Sequence, residues 1–198
     1  ISQVMGDMYQ NINVYDNDLI IFGKDFKSPL ADNALFNYKF FLEDSLFLDN
    51  KWCYHIRFKP RRMQELCFSG NIWIADTTFG VKRLEMSIPS DANINFINSA
   101  NVIQEFDYIA DSAWMLKKDR IVIDFIPNLT GFVKNKYQTG IYGRKTTSYR
   151  NFVINNKAPE NFFKGQGDEI VVLDDALKKG EAFWNENRHD SLTNRENK

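Results

Sequence analysis

The chain is poor in cysteine, histidine, proline and glycine, with two, two, five and ten of them in 198 residues. Two cysteines, Cys53 and Cys67, are too few for a disulfide scaffold, and neither belongs to a Cys-x-x-Cys pair. Cys53 and His55 stand two apart and would share one face of a strand, but His189 lies far off. A tetrahedral metal centre therefore lacks its second pair of ligands, and no metal or other cofactor is expected. Scarce Pro and Gly beside a hydrophobic fraction of 43% and an aromatic fraction of 15% exclude a disordered, collagen-like or low-complexity chain. Charge of one sign is missing too. The 25 Lys and Arg against 26 Asp and Glu leave a net charge of −1, which argues against a nucleic-acid partner. Apolar runs such as Leu19-Ile20-Ile21-Phe22 are far shorter than the roughly 18 residues of a membrane-spanning helix.

The chain also lacks a Gly-x-Ser-x-Gly elbow, a phosphate-binding glycine loop and a His-Glu-x-x-His helix, so no common catalytic motif is on offer. Glu105, Asp107 and Asp111 cluster, but Glu105 and Asp107 alternate with Phe106 and Tyr108 as a solvated strand face would. Asp124, between Ile123 and Phe125, reads as a hydrogen-bonded structural carboxylate. Lys59-Pro60-Arg61-Arg62 and Arg144-Lys145 read as wet basic turns that could touch anionic headgroups. The domain is expected not to be an enzyme: binding is the first reading, a purely structural spacer with a self-filled core the alternative, and a hydrolase the third.

What is present is a long succession of period-two segments. Tyr38, Phe40 and Leu42 alternate with Asn37, Lys39 and Phe41. After a turn at Asp49-Asn50-Lys51, Trp52, Tyr54, Ile56 and Phe58 alternate with Cys53, His55, Arg57 and Lys59. Leu66, Phe68, Ile72 and Ile74 share the next face, and Leu84, Met86 and Ile88 follow the turn at 76–80. Asp119 is expected to turn Ala113–Leu116 back into Ile121–Ile126, and a last strand is expected over Arg144–Ile154. Short alternating strands with polar turns form an antiparallel meander, and its one-sided apolar pattern needs a cover. Ile1, Val4, Met5, Met8 and Ile12 at helical spacing predict a helix over about residues 2–11. Ser28 and Pro29 predict a capped helical turn. Leu173, Ala176, Leu177, Phe183 and Trp184 predict a second amphipathic helix, with Asp174 or Asp168 as its cap.

The resulting fold class is α+β, mostly β: a curved antiparallel sheet covered by a few helices. Its extent is residues 1–160, with 161–198 forming a linker, the C-terminal helix and a polar tail. The tail beyond about Arg188 is expected to add little stability. Tyr54, Ile56, Phe58, Phe68, Ile72, Ile74, Leu84 and Met86 are expected to line one concave apolar surface. Two readings of that surface stay open: a core fully packed by the two helices, or a slot that accepts an acyl chain. Cys53 and Cys67 are expected to remain unbonded, because the hairpin between them sets them several ladder positions apart.

Several separated motifs carry a resemblance. They are Cys53-Tyr54-His55-Ile56-Arg57-Phe58-Lys59-Pro60, Phe68-Ser69-Gly70-Asn71-Ile72-Trp73-Ile74-Ala75-Asp76-Thr77-Thr78 and Val81-Lys82-Arg83. Ser28-Pro29-Leu30-Ala31, Asp91-Ala92-Asn93-Ile94-Asn95-Phe96, Phe183-Trp184-Asn185-Glu186-Asn187-Arg188 and Leu192-Thr193 agree in order. Together they resemble the middle domain of an uncharacterised family of Gram-negative outer-membrane proteins. Its members carry a carboxypeptidase-regulatory-like N-terminal domain and a C-terminal β-barrel. The Gly-x-Ile-Trp-Ile-x-Asp-x-Thr hairpin is also similar to the lipoprotein-carrier (LolA-like) fold, an open half-barrel that holds acyl chains. The resemblance implies a non-catalytic domain on the periplasmic side of the outer membrane. A lipid or lipoprotein acyl chain and the barrel of the same chain would be its partners. It implies no catalytic residues. The start at Ile1 fits a fragment of a longer precursor. No charged, apolar leader precedes residue 20, and that absence carries no information on compartment.

Overall fold

The computed structural model describes residues 11–62, 65–88, 94, 97–125, 141–155, 178–188 and 191–192. The chain divides into two compact units, Ile1–Arg150 and Asn151–Lys198.

The first unit opens with a small hairpin, β1 (Asp18–Ile21) and β2 (Lys24–Lys27). Its two-residue turn, Phe22-Gly23, has φ of 53° and 68°, the doubly left-handed geometry that matches strand twist in tight hairpins. Ser28 then accepts the Leu30 N–H at 3.1 Å and donates to the Val14 carbonyl at 2.5 Å, so the expected Ser28 turn is present. A single helical turn, α1 (Ala34–Asn37), leads into the sheet.

Seven antiparallel strands follow in sequence order: β3 (Tyr38–Leu48), β4 (Lys51–Pro60), β5 (Ser69–Ala75), β6 (Val81–Ser87), β7 (Ile97–Ile109), β8 (Ala113–Phe125) and β9 (Ile141–Ser148). The protein is mostly β, and the sheet is open, with β3 and β9 as its edges. Asp49 and Asn50, with φ of 43° and 65°, close the β3–β4 hairpin where the polar turn is expected.

Because paired residues share a face, one row can be followed across the sheet. It runs Leu42, Ile56, Ile72, Leu84, Gln104, Asp119. Beside it runs Phe40, Phe58, Gly70, Met86, Val102, Ile121. Gly70 has no side chain because a Cβ there would collide with the Glu85 carbonyl, and the Phe58 ring lies next to it.

The cover over this apolar face comes from the N-terminal segment. Val14, Leu19, Ile21, Phe26, Ala31 and Ala34 are buried in one cluster with Phe58, Phe68, Ile72, Leu84, Met86 and Ile121. Phe26 packs on Phe68 with ring centroids 4.9 Å apart, and Phe22 meets Phe125 edge-on at 6.4 Å. Tyr38 ties the layers: its hydroxyl donates to the Lys27 carbonyl at 2.5 Å and accepts the Phe68 N–H at 3.0 Å. Burial drives the Tyr38 phenol far above its ordinary range, so it stays a neutral donor.

Several expectations change. The predicted turn at Asp119 does not exist: β8 runs unbroken through it, and the reversal lies at Ala110-Asp111, with φ of 49° and 48°. A polar Lys-Lys-Asp-Arg run resembles a turn in sequence, but here it is strand crossing a bulge. Arg144-Lys145 likewise sits inside β9, which begins at Ile141 and ends at Ser148 instead of spanning 144–154. The segment from Leu66 forms only a bridge, Cys67 to Lys27, before β5 begins at Ser69. The helix expected over about 2–11 falls outside the described residues except for Asn11, as do residues 161–177 of the expected linker and C-terminal helix. In the second unit the described helix is α2 (Glu181–Asn187), with Gly180 at its N-cap and no residue buried, and the expected caps Asp174 and Asp168 lie outside the described residues. Among the described residues no helix is long and apolar enough to cross a membrane.

Candidate functional site

The eight residues expected to line one apolar surface divide into two groups. Phe58, Phe68, Ile72, Leu84 and Met86 are fully buried under the β1–β2 hairpin and are core. Tyr54, Ile56 and Ile74 are half-buried at the margin of that cover. Ile56 pairs with Leu42 on β3, and Tyr54 with Ile74 on β5. Trp52, the next position on the same face of β4, pairs with Phe47 and meets its ring edge-on at 4.8 Å.

Leu42 and Phe47 are 69% and 67% exposed, and Trp52 is also exposed. One corner of the sheet, built by β3, β4 and the end of β5, thus presents an apolar strip interrupted on β3 by Ser45, which pairs with Tyr54. Leu42, Phe47 and Trp52 are its exposed members, and Tyr54, Ile56 and Ile74 its half-buried ones, with Ile74 packed against the core cluster. Tyr54 is its polar limit, with its hydroxyl donating to Asp76 at 2.5 Å. That carboxylate holds the Tyr54 phenol above its ordinary range. Leu42 and Trp52 were visible in the alternation. Phe47 was not, because a β-bulge between Leu42 and Asp44 changes the parity of β3.

The opposite face is polar and internally paired. Asp44 accepts from His55 Nδ1 at 2.9 Å, His55 Nε2 lies 3.0 Å from the Asn71 side-chain oxygen, and His55 stacks on Trp73 at 4.7 Å. Both ring nitrogens of His55 are therefore engaged within the sheet, and among the described residues no cluster could hold a metal. Arg83 lies over the other neighbour of this row, 5.7 Å from the Trp73 ring centroid, and bonds Glu85 and Glu105 at 2.5 and 3.2 Å. Glu105 and Asp107 are thus ion-paired, not merely solvated.

Asp107 is the centre of a network made by two bulges. Lys82 is the extra residue where the β5–β6 register shifts, and Lys117 the extra residue where β7–β8 shifts. Their ammonium groups reach Asp107 at 2.6 and 2.7 Å, and Lys82 also reaches Asp49 at 3.1 Å. Burial alone would lower the Lys82 pKa, but hydrogen bonds to Asp107 and Asp49 outweigh it and hold the group above an ordinary lysine. Burial would raise Asp107, yet bonds from Lys117 and Lys82 hold it below the usual carboxylate range. Cys53 lies buried in the field of Lys82 as a free thiol, and Cys67 is also free and buried. Burial raises both thiols, which makes them poor nucleophiles. Asp124 accepts from Asn98 at 2.8 Å, the structural role expected for it.

A cavity of about 170 Å³ lies on the apolar face between residues 11–13 and strands β7 and β8. Ile12, Phe106, Leu116 and Tyr149 line it together with two buried polar groups, Gln104 and Asp119. Neither polar group stood out in the sequence, since Asp119 reads there as a turn residue. Its burial depends on β8 continuing through it.

Against protein families, residues 3–145 match one, the family of unknown function DUF5686. No curated protein matches the chain. No solved structure matches it either.

Proposed function

The chain belongs to the DUF5686 family of unknown function, and we propose that its domain is a non-catalytic binding module whose ligand is an acyl chain. The observation behind this reading is the apolar strip of Leu42, Phe47 and Trp52, which are exposed, and Tyr54, Ile56 and Ile74, which are half-buried. Exposed contiguous apolar surface on a folded domain marks an interaction site, and each methylene moved onto it gains about 0.8 kcal/mol. An open antiparallel sheet with one apolar face suits the LolA-like half-barrel that the hairpin at 70–78 resembles. The outer-membrane family resemblance supports reading that module as a periplasmic one, beside a barrel of the same chain.

A second reading is supported by a separate observation. Five of the eight residues first assigned to the groove are sealed by the N-terminal hairpin. That part of the face is architecture, and a spacer domain would need nothing more.

The two readings separate in one experiment. Protein purified without detergent is extracted and its lipids read by mass spectrometry, and displacement of a fluorescent fatty acid is measured at micromolar concentrations. The binding reading expects co-purifying acyl species, and probe binding that is lost in Leu42→Lys and Ile74→Lys variants of unchanged fold. Absence of both signals in the folded wild type overturns it and leaves the spacer.

A further inference from the structure

Gln104 and Asp119 face each other across β7 and β8 on the apolar side of the sheet, and both are almost fully buried, at 1% and 3% exposure. The Gln104 amide nitrogen donates to the Ile12 carbonyl at 2.8 Å and to Asp119 Oδ1 at 3.0 Å. Its amide oxygen has no partner among the described residues. Buried polar atoms are nearly always satisfied, so an orphaned oxygen on a residue that lines the cavity marks an acceptor still short of a donor. Among the described residues the carboxylate beside it accepts one neutral hydrogen bond, which does little to offset the cost of burying a charge. Phe106 and Tyr149 supply aromatic walls, and Ile12 and Leu116 aliphatic ones. The volume of about 170 Å³ admits a group of only a few heavy atoms.

A carboxylate, an unpaired amide oxygen and aromatic walls together describe a receptor for a positively charged donor. We infer that this cavity binds a primary alkylammonium group, with Asp119 as its counter-ion and Gln104 Oε1 as a second acceptor. An ammonium has three donors, enough for both oxygens, and its carbon chain would contact Phe106 and Leu116. Asn11 and Asn13 complete the polar lining, and a small anion is disfavoured because the charged group in that lining is the Asp119 carboxylate.

The charged and titratable groups around Asp119 are consistent with this. Lys145 on β9 acts on it through the field, and Tyr149 lies on the same side. Burial, the largest influence, raises the Asp119 carboxyl above its ordinary range, and the Gln104 hydrogen bond and Lys145 offset it only in part. An ammonium binds the ionised carboxylate, so affinity rises as pH increases through the Asp119 titration, and binding releases a proton below it.

Such a group could come from a free amine or from an aminophospholipid headgroup, and the test separates them. Ethanolammonium and, independently, dihexanoylphosphatidylethanolamine below its micelle concentration are titrated into the whole chain, with amide chemical shifts as readout. Ethylene glycol and dihexanoylphosphatidylglycerol serve as controls without an ammonium. Binding by either amine probe, with shifts in Gln104, Phe106 and Leu116, supports the site, and the tighter of the two identifies the source. Asp119→Asn keeps the acceptor for Gln104 but removes the charge, and should weaken binding about tenfold or more. If that variant fails to fold, the wild-type pH profile decides: affinity must climb with pH. No shift from either amine at millimolar concentration overturns the inference. So does equal binding of the glycol control, an Asp119→Asn variant with unchanged affinity, or a flat pH profile.

Discussion

The covered and uncovered parts of the apolar face carry the same kind of sequence and meet different fates. On β4, Phe58 is sealed beneath the N-terminal hairpin, while Ile56 and Tyr54, two and four residues earlier on the same face, are only half-buried. On β3, Phe40 packs against the core cluster, and Leu42 stands 69% exposed. Nothing in the local alternation distinguishes the two zones. Among the described residues the β1–β2 hairpin and its flanks roof one region of the sheet, while Leu42, Phe47 and Trp52 at the β3–β5 corner stay exposed. An alternating strand therefore specifies which side is apolar, and the covering element specifies where that side is core and where it is surface.

Substitutions can break this comparison, and the strongest is a charge. Ile72→Lys places an unpaired ammonium in the sealed zone and should abolish cooperative folding, whereas Leu42→Lys, on the same row, should change stability by only about 0.5 kcal/mol. Thermal melts of the two proteins measure this directly. Equal destabilisation would mean that the corner is covered after all. Truncating the roof comes next. Phe26→Ala removes a fully buried ring that packs on Phe68 and should cost about 3–5 kcal/mol in urea unfolding. Phe47→Ala, in the open corner, loses little beyond its edge-on contact with Trp52, about 1 kcal/mol.

The polar face sharpens the comparison, because its buried charges need partners and not a roof. Asp107→Ala leaves Lys82, with its side chain 8% exposed, to the distal Asp49 alone, and should cost about 3 kcal/mol. A change below about 1 kcal/mol would show that Asp49 suffices or that water reaches the ammonium. The smallest effect is a pH dependence from the cavity. Asp119 has a folded pKa raised above its unfolded value, so its contribution is fully present below the unfolded pKa and is lost as pH rises through the folded one. Asp107, held low, contributes in the opposite sense: its stabilisation is lost as pH falls through its folded pKa. Asp119→Asn should flatten the alkaline-side loss and leave the acid-side loss in place. An unchanged profile would mean that Asp119 is ionised at little cost.

Much of the architecture was legible beforehand. The period-two segments from Tyr38 to Ile88, the turn at Asp49-Asn50 and the mostly β, open antiparallel sheet follow from alternation and turn chemistry, which act between near neighbours in the chain. The free thiols of Cys53 and Cys67 follow from the same strand geometry. Harder to read were the bulges. Lys82, Lys117 and the Leu42–Asp44 irregularity each displace a side chain by one position, and no residue type announces that shift. The bulge at Lys117 turned a predicted hairpin into the unbroken strand that buries Asp119.

Local sequence determined what each strand would offer: an apolar edge, a polar edge and a place to turn. Those are properties of sterics, hydration and backbone conformation within a few residues, and they survive any arrangement of the rest. Only the tertiary structure decided that Phe58 and Ile72 are core while Leu42 and Trp52 face outward. It also decided that Lys82 and Lys117 meet on Asp107, and that Gln104 and Asp119 share a cavity wall. The physical reason is range. Burial, ion pairing and cavities depend on which distant segment arrives overhead, and that is fixed by the packing of the whole chain.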